Sequence, residues 1–259
     1  MEGLKGKIVL VTGGSRGIGR SIARAFAAHG SQVVLTGRTQ ATLESVAEEI
    51  HRLGGKALPL TCDVTHKEQV EALKDKVTSQ LGPVQVLINN AGIAPAAGFL
   101  EMADNLWEEV LRVNLTGTYY CSKVFLPEMI ASRWGRIINI ASIVAKVAFS
   151  HTSAYTTSKH AVLGLTRALA LEMARSGVTV NAICPGYVET DLTLNNAKLM
   201  AEKTGKGVEE ALKLMKGSSP QQRLIAPAEV AELALMLASK SADGITGQAI
   251  NIDGGAVMV

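Results

Sequence analysis

The sequence is poor in cysteine and in aromatic residues, and it has no long apolar run. Its three cysteines, Cys62, Cys121 and Cys184, are isolated and lack the CxxC spacing of a metal or redox site. We therefore expect reduced thiols in a cytoplasmic protein and predict no metal site. No stretch approaches the ~18 apolar residues of a membrane span, and the four-residue apolar run near the N-terminus is too short for a signal peptide.

The sequence also lacks an excess of charge of one sign. The net charge is +3 and no basic block is present, so neither nucleic acid nor a membrane surface is predicted as a partner. A hydrophobic fraction of 47% with only 4% aromatic residues indicates an aliphatic core, as in a sheet covered by helices. Without linker-like segments, repeats or low-complexity tracts, we predict a single domain, 1–259.

The most informative stretch is KIVLVTGGSRGIG, at positions 7–19. Its four consecutive apolar residues, mostly β-branched, are typical of a buried strand. Gly13, Gly17 and Gly19 follow, and then a helical pattern begins. A strand, a glycine turn and a helix open a dinucleotide-binding unit, in which the pyrophosphate lies against backbone N–H groups at the helix N-terminus. We expect glycines here because a Cβ would hold the pyrophosphate away.

Strand and helix patterns alternate through the rest of the chain. They predict further strands at 32–36, 56–61, 84–89, 136–140, 179–184 and 248–252, separated by helices at 40–53, 66–81, 104–130, 154–176 and 228–239. This alternation predicts an α/β fold, a Rossmann-type doubly wound domain with a seven-stranded parallel sheet flanked by helices. The charged region 190–218 contains two amphipathic stripes separated by a glycine-containing break, and we predict that it forms a helical lid.

The end of the second strand indicates which cofactor binds. An acidic residue there would bind the ribose 2′-hydroxyl of NAD and repel the 2′-phosphate of NADP. The strand instead ends in Gly37-Arg38, and Arg16 lies inside the glycine turn. Two guanidinium groups suit a phosphate. We therefore expect NADP(H), with NAD(H) as the alternative.

Three residues are predicted to carry the chemistry. Tyr155 and Lys159 are four apart at the start of a helix, so they share a face, and Ser142 closes the preceding strand. Ligands of doubly wound sheets bind at this carboxyl edge. A tyrosine pKa is near 10, and we expect the lysine ammonium to lower it, which would make Tyr155 an acid-base group. Ser142 and Tyr155 would donate hydrogen bonds to a carbonyl oxygen as negative charge develops on it.

With these motifs in order, the whole chain resembles the short-chain dehydrogenase/reductase family. The resemblance rests on TGGSRGIG (12–19), CDV (62–64), NNAG (89–92), Asn114, Ser142, Tyr155-x-x-x-Lys159, PG (185–186) with Thr190, and DGG (253–255). It implies an oxidoreductase in which Tyr155 donates the proton, Lys159 binds the nicotinamide ribose, Ser142 holds the carbonyl oxygen, and Asn114 keeps a water chain.

The resemblance also implies the cofactor-binding residues. Asp63 and Val64 would meet the adenine, Asn90 and Gly92 would line the cofactor, and Val188 and Thr190 would hold the carboxamide. The full expected set is Gly13, Ser15, Arg16, Gly17, Ile18, Gly19, Arg38, Asp63, Val64, Asn90, Ala91, Gly92, Tyr155, Lys159, Pro185, Gly186, Val188 and Thr190.

The substrate is less sharply indicated. The glycine turn and Arg38 resemble those of 3-oxoacyl-(acyl-carrier-protein) reductases and polyketide ketoreductases, which implies a ketone or an acyl thioester carried by acyl carrier protein or CoA. An apolar pocket is expected, and its substrate-binding set is Ala94, Ser142, Val144, Phe149, His151 and Tyr155. His151 is either a polar substrate contact or a solvent-facing loop residue.

Two alternatives stay open. The lid length also resembles that of 3-hydroxybutyrate dehydrogenases, which oxidise an alcohol, but their carboxylate-binding His and Lys are replaced by Val144 and Thr152, and Ala94 replaces a Gln. A nucleotide-binding sensor without turnover is the other alternative, although the proton-transfer set is complete. The helices at 104–130 and 154–176 are apolar nearly all round, so part of their surface should pair with other copies, and the resemblance implies a homotetramer.

Overall fold

The computed structural model describes residues 2–259, apart from the side chains of Lys203 and Thr204. The predicted break of the lid at 203–207 therefore lies partly outside the described residues. The predicted strands are all present, and their bounds are Ile8–Thr12 (β1), Gln32–Gly37 (β2), Lys56–Thr61 (β3), Val86–Asn89 (β4), Gly135–Ile140 (β5), Val178–Pro185 (β6) and Ala249–Ile252 (β7).

The seven strands form one parallel sheet in the order β3-β2-β1-β4-β5-β6-β7. This confirms the predicted doubly wound fold. The chain winds outward from β1 to β3, crosses back to β4 beside β1, and winds outward again on the other side. The change of direction leaves a crevice at the carboxyl ends of β1 and β4, where ligands bind in open α/β sheets.

Both faces of the sheet are covered, which explains the uninterrupted apolar sequence of β1. Val9 and Val11 belong to the core on one face, and Ile8 and Leu10 belong to the core on the other. Side chains alternate between the two faces of a strand, so a strand with helices on both sides needs apolar residues at every position.

The helices are Gly17–Ala28 (α1), Gln40–Arg52 (α2), Lys67–Gln80 (α3), Asp104–Leu111 (α4), Gly117–Ala131 (α5), Ser153–Glu172 (α6), Asp191–Thr204 (α7), Val208–Gly217 (α8) and Pro227–Ala238 (α9). The long helical stretch predicted at 104–130 is present, and a π-helical turn at Arg112–Thr116 within it lies between α4 and α5. The helix expected to reach 176 ends at Glu172. Among the described residues, no helix has both the length and the apolar character needed to cross a membrane.

The region 190–218 forms two helices, α7 and α8, as predicted, and Gly205 after α7 has a φ of +69°. Part of the apolar surface of the two helices is buried between them. Ala197, Ala211 and Met215 form a small core between the two helices. The exposed leucines of the pair are Leu192, Leu194, Leu199 and Leu214.

Candidate active site

The glycine turn between β1 and α1 has the predicted conformation. Gly13 and Gly17 have φ values of +62° and +52°, a region that favours glycine. Gly19 is also required by packing inside the turn. A Cβ on Gly19 would collide with the carbonyl oxygen of Gly13 and would lie 2.5 Å from Nδ2 of Asn90. That a Cβ here would hold a pyrophosphate away stays a prediction.

The N-terminus of α1 is suited to binding an anion. Arg16 occupies the N-cap position in an extended conformation, and its side chain makes no capping hydrogen bond. The first N–H groups of α1 therefore lack a side-chain acceptor from the cap and are suited to a pyrophosphate. A groove of about 840 Å³ touches Ser15, Arg16, Gly17 and Thr190, but the rest of its lining comes mainly from α1, α9 and the end of α2, and Ser142, Tyr155 and Lys159 do not line it. The fit to a dinucleotide therefore rests on the glycine turn and on the N–H groups at the start of α1.

Asn90 shapes the turn through its side chain. Its Nδ2 donates to the carbonyl oxygens of Thr12 and Gly13, at 2.9 and 3.0 Å. The backbone N–H groups of Asn90 and Ala91 donate to Oγ1 of Thr12, at 2.9 and 3.0 Å. Because the side-chain amide of Asn90, at the end of β4, donates to two carbonyl oxygens at the end of β1, it holds the two strand ends together below the expected cofactor position.

Two exposed guanidinium groups flank the end of β2. Arg16 and Arg38 form no ion pair within 4 Å among the described side chains. Burial acts to raise the pKa of Asp63, but hydrogen bonds from Thr65 and the charges of His66 and Arg38 outweigh it, so this pKa lies below its usual value. Arg38 is therefore close to the expected adenine-binding segment, where it would meet a 2′-phosphate.

The predicted catalytic side chains meet at the carboxyl edge of β5. Ser142 follows this strand, and its Oγ accepts a hydrogen bond from the N–H of Val144 at 3.3 Å. Tyr155 lies in the first turn of α6, and its phenol is near enough to Ser142 for the serine hydroxyl to act on its pKa. Nζ of Lys159 lies 5.8 Å from the centroid of the Tyr155 ring and donates to the carbonyl oxygen of Ile140 at 2.8 Å. A serine, a phenol and an ammonium group thus lie together at one strand end.

The predicted lowering of the Tyr155 pKa by Lys159 stays a prediction, because burial dominates the pKa of both groups in this structure. Burial raises the pKa of Tyr155 to about 12, although the hydrogen bond with Ser142 opposes the rise. Burial also lowers the pKa of Lys159 to about 8. The lysine is itself desolvated, and its hydrogen bond goes to a backbone carbonyl and not to the phenol. At neutral pH Tyr155 is therefore a protonated phenol, the form that donates a proton.

Asn114 lies within the π-helical turn between α4 and α5. Its Oδ1 accepts from the N–H of Ile93 at 2.8 Å, and its Nδ2 donates to the carbonyl oxygen of Ile93 at 2.9 Å and to Oγ of Ser158 at 3.0 Å. Oγ of Ser158 in turn donates to the carbonyl oxygen of Tyr155 at 2.7 Å. Asn114 thus links the segment after β4 to the first turn of α6. Its role in a water chain stays a prediction.

Gly92 lies between two of the catalytic side chains. A Cβ at this position would be 3.2 Å from Oδ1 of Asn114 and 3.7 Å from Nζ of Lys159. Any larger residue here would press on the asparagine and narrow the space in front of the lysine. Gly92 therefore keeps the carboxyl end of β4 open on the side where the nicotinamide ribose is expected.

The segment after β6 closes the other side of the crevice. A Cβ on Gly186 would lie 3.0 Å from Cβ of Asp253, so Pro185-Gly186 packs against the DGG segment. Val188 is buried and pairs with Ile225 in an isolated parallel bridge. Thr190 is the N-cap residue of α7, and its methyl group lies 3.2 Å from the position of a Cβ on Gly17. The start of the lid therefore touches the glycine turn.

Sequence reasoning missed Tyr187. Its half-buried ring packs against the small core of α7 and α8, and its phenol is close enough to Tyr155 to contribute to the raised pKa of that residue. Tyr187 thus lies between the pair of helices α7 and α8 and the phenol of Tyr155. The signal available in the sequence was an aromatic residue directly after Pro185-Gly186.

The expected substrate residues occupy two loops at the same edge. Val144 is buried and Ala94 is half-buried, whereas Phe149 and His151 are exposed. His151 has a φ of +64°, which is uncommon for a residue with a side chain. Its carbonyl oxygen accepts from the N–H of Ala97 at 2.9 Å. Backbone hydrogen bonding therefore joins the loop after β4 to the loop that leads into α6.

Comparisons with known proteins agree with this geometry. Residues 7–200 match the family model described as short chain dehydrogenase. The chain is 39% identical over 251 residues to a putative ketoacyl reductase of Streptomyces coelicolor, covering 96% of each chain. It is 36% identical over 256 residues to D-beta-hydroxybutyrate dehydrogenase of Cupriavidus necator, covering 97% of this chain and 98% of that protein.

Two further relatives are similar at the same level. A 3-oxoacyl-(acyl-carrier-protein) reductase of Aquifex aeolicus is 39% identical over 253 residues, covering 97% of this chain and 98% of that protein. The fold is also similar to the crystal structure of a variant of actinorhodin polyketide ketoreductase with NADPH. That comparison gives a TM-score of 0.94 and 39% identity, covering 96% of this chain and 97% of the other.

Proposed function

The chain belongs to the short-chain dehydrogenase/reductase family, and from that premise we propose that it reduces a ketone to a secondary alcohol with NADPH. The substrate is a 3-oxoacyl thioester or a similar apolar ketone, with acyl carrier protein or CoA as the carrier of a thioester. The observation that carries the proposal is the meeting of Ser142, Tyr155 and Lys159 at the end of β5, beside an anion-binding turn flanked by two arginines.

The cofactor-binding residues divide by the part of NADPH that each would hold. The glycine turn with Ser15 and Ile18 would bind the pyrophosphate, and Arg16 and Arg38 would bind the 2′-phosphate. The remaining positions are Asp63 and Val64 for the adenine, and Ala91, Gly92, Pro185, Gly186, Val188 and Thr190 around the nicotinamide. When bound, the cofactor supplies the hydride that reduces the carbonyl carbon.

The protein's own part is to stabilise and protonate the substrate oxygen. The hydroxyl of Ser142 and the phenol of Tyr155 donate hydrogen bonds to that oxygen as negative charge develops on it. Tyr155, which is a protonated phenol at neutral pH, then transfers its proton to that oxygen. Asn114 positions the first turn of α6 through Ser158 and so holds the phenol in place. Lys159 faces the ribose position from the next turn.

Oxidation of a 3-hydroxy acid is the second candidate, because D-beta-hydroxybutyrate dehydrogenase is among the relatives. Such an acid needs a cationic clamp for its carboxylate. Val144 is buried, and Oγ1 of Thr152 donates to the carbonyl oxygen of Phe149 at 2.7 Å. Neither residue carries a positive charge, so the structure supports reduction of an apolar ketone better.

The proposal is tested with a panel of ketones assayed against NADPH and NADH. The panel contains 3-oxoacyl thioesters, cyclic ketones and free 3-oxo acids, with the matching alcohols and the oxidised cofactors for the reverse direction. We expect the highest kcat/KM for a neutral ketone with NADPH. Binding of NADPH without turnover of any substrate would favour a nucleotide sensor, and a preference for free 3-hydroxy acids would favour the dehydrogenase.

A further inference from the structure

A row of buried polar side chains crosses the sheet near the carboxyl ends of β4 and β5. We call it the polar ladder, and its members are Ser122 on α5, Asn89 on β4, Asn139 on β5 and Thr166 on α6. Each is at most 4% exposed. Asn89 and Asn139 are register partners in the parallel sheet. Burying polar groups costs free energy unless they are paired, so these side chains depend on their mutual hydrogen bonds.

The hydrogen bonds of the polar ladder all run in one direction. Oγ1 of Thr166 donates its single hydrogen to the carbonyl oxygen of Val162 at 2.7 Å, so it acts only as an acceptor for other groups. Nδ2 of Asn139 donates to it at 2.9 Å. Oδ1 of Asn139 therefore faces the neighbouring strand, where Nδ2 of Asn89 donates to it at 2.9 Å and to Oγ of Ser122 at 3.1 Å. A carbonyl group of α6 thus fixes the orientation of both amides.

The bond between Asn139 and Thr166 joins the two segments that carry the hydroxyl groups of the site. Asn139 lies on β5, the strand that leads to Ser142, and Thr166 lies three turns after Tyr155 in α6. An α-helix rises 1.5 Å per residue and has a fixed internal geometry. A displacement of α6 along its axis at Thr166 is therefore transmitted to Tyr155.

The other contacts of α6 with the sheet fix its axial position less precisely. Val162 and Leu163 belong to an apolar core, and apolar burial has no preferred direction. Lys159 is attached to the carbonyl oxygen of Ile140, but through a long and flexible side chain. Thr166 is short and β-branched, so its hydroxyl has few positions relative to the helix backbone. Its bond with the strand is therefore the most restrictive of these contacts.

We propose that Asn139 and Thr166 are positioning residues for the reaction. Their hydrogen bond fixes α6 along its axis against β5, so that the phenol of Tyr155 and the hydroxyl of Ser142 are held at the same carbonyl oxygen. This inference rests on the proposed function, because it concerns the two groups assigned to the substrate oxygen. A misplacement of about 1 Å caused by a distant substitution costs up to ~100-fold in rate, so a bond remote from the substrate sets kcat.

Thr166→Val tests this bond, because valine has nearly the shape of threonine and lacks the hydroxyl. We expect kcat for the best ketone of the panel to fall about tenfold, which corresponds to a displacement of a fraction of 1 Å. The dissociation constant of NADPH, measured by fluorescence titration, should stay nearly unchanged. Thr166→Ser keeps the hydroxyl and should retain most of kcat.

The matched control is Thr78→Val. Thr78 is a half-buried threonine of α3 whose Oγ1 donates to the carboxylate of Glu128 at 3.1 Å, away from the site. This variant also loses a hydroxyl bond between two elements, but it should keep the kcat of the unmodified protein.

Asn139→Ala removes the same bond from the strand side and serves if Thr166→Val does not fold. It should lower kcat by a similar factor. The double variant N139A/T166V should lose little more than the larger of the two single losses, because residues that share one interaction are not additive. Fully multiplicative losses would show that the two residues do not act through their shared bond.

The Tyr155→Phe background distinguishes positioning from a general loss of structure. Thr166→Val should leave the residual rate of Tyr155→Phe nearly unchanged, because the hydroxyl that it positions is gone. An unchanged kcat for Thr166→Val, or the same fractional loss in both backgrounds, would overturn the inference, while ketone reduction by the unmodified protein would still support the proposed function. Failure of the unmodified protein to reduce any ketone would count against the proposed function and, with it, this inference.

Discussion

Nζ of Lys159 donates to the carbonyl oxygen of Ile140 at 2.8 Å, in the strand that delivers Ser142. The bond holds a buried ammonium group against the end of β5. The lysine side chain is only 5% exposed, and burial lowers its pKa to about 8. The same bond places the ammonium group beside Gly92, on the side of the expected ribose. Lys159 therefore has a fixed position at a cost in folding free energy.

That cost predicts a pH-dependent stability. Between pH 8 and the ordinary pKa of 10.5 the unfolded chain binds more protons than the folded one, so stability rises with pH through this window. Below pH 8 the buried charge costs about 3 kcal/mol. Lys159→Met removes this cost but also removes a hydrogen bond of about 1 kcal/mol. At neutral pH we expect a net stabilisation of about 2 kcal/mol, together with a loss of activity.

Urea unfolding without cofactor, at several pH values from 7 to 10, measures this difference. The advantage of Lys159→Met should shrink as the pH rises, because the native lysine loses its charge. Lys198→Met, at an exposed position on α7, is the control and should show no such trend. A stability difference that stays constant with pH would show that Lys159 is not the group that titrates.

Cofactor preference depends on Arg38. Charge-assisted contacts with a 2′-phosphate stabilise binding by ~1.5–3 kcal/mol each, so we expect at least a tenfold preference for NADPH over NADH. Arg38→Asp should abolish or reverse it, whereas Arg52→Asp, at the far end of α2, should not. Dissociation constants of both cofactors, measured by fluorescence titration, are the readout. Tighter binding of NADH by the unmodified protein would refute the assignment.

The sequence was sufficient to predict the strands and the glycine turn because their signals are local. The apolar run in Ile8–Thr12 indicates a buried strand, and the glycines that follow it indicate a turn with positive φ values. Both features can be predicted from residues that are neighbours in the sequence. The π-helical turn at Arg112–Thr116 could not be read in this way. The apolar residues around this turn have the spacing of an ordinary helix. The side chain of Asn114 in the turn contacts Ile93 and Ser158, which are distant in sequence, so these contacts could not be predicted from neighbouring residues.

The structure brings the candidate catalytic residues together as predicted, but their electrostatics could not be predicted from the sequence. Whether Lys159 lowers the pKa of Tyr155 depends on burial and on where the ammonium group points. The sequence gives no sign that Ile140 accepts its hydrogen bond. The same holds for Asn90, whose amide holds the glycine turn. Partners of buried polar groups are set by tertiary packing, so they appear only in the structure.

The lid should be protected when the site is filled. A lid that closes over the substrate excludes water during reaction. Trypsin should cleave after Lys206, in the connection between α7 and α8, quickly in the free protein and slowly with NADPH and a bound ketone. Cleavage after Arg133, in the turn before β5, is the internal reference. Equal rates at Lys206 in both states would make this region a permanent part of the scaffold.

The outer faces of α5 and α6 predict assembly. Tyr119 and Ile130 are 40% and 39% exposed, and Leu171 is 81% exposed. Apolar residues of this size on neighbouring helices favour pairing with another copy. We expect a homotetramer by light scattering at micromolar concentration and smaller species for Leu171→Glu. A monomeric mass for the unmodified protein would contradict this expectation.

The central claim is that Tyr155 donates the proton in ketone reduction, and Tyr155→Phe tests it most directly. The variant keeps the ring and removes only the hydroxyl group, so NADPH should bind with nearly unchanged affinity. Because the transition state needs the proton, kcat should fall by at least about a thousandfold. The measurement is NADPH oxidation with the best ketone of the panel, alongside a fluorescence titration of NADPH. A Tyr155→Phe variant that binds NADPH and retains most of its kcat would contradict the account.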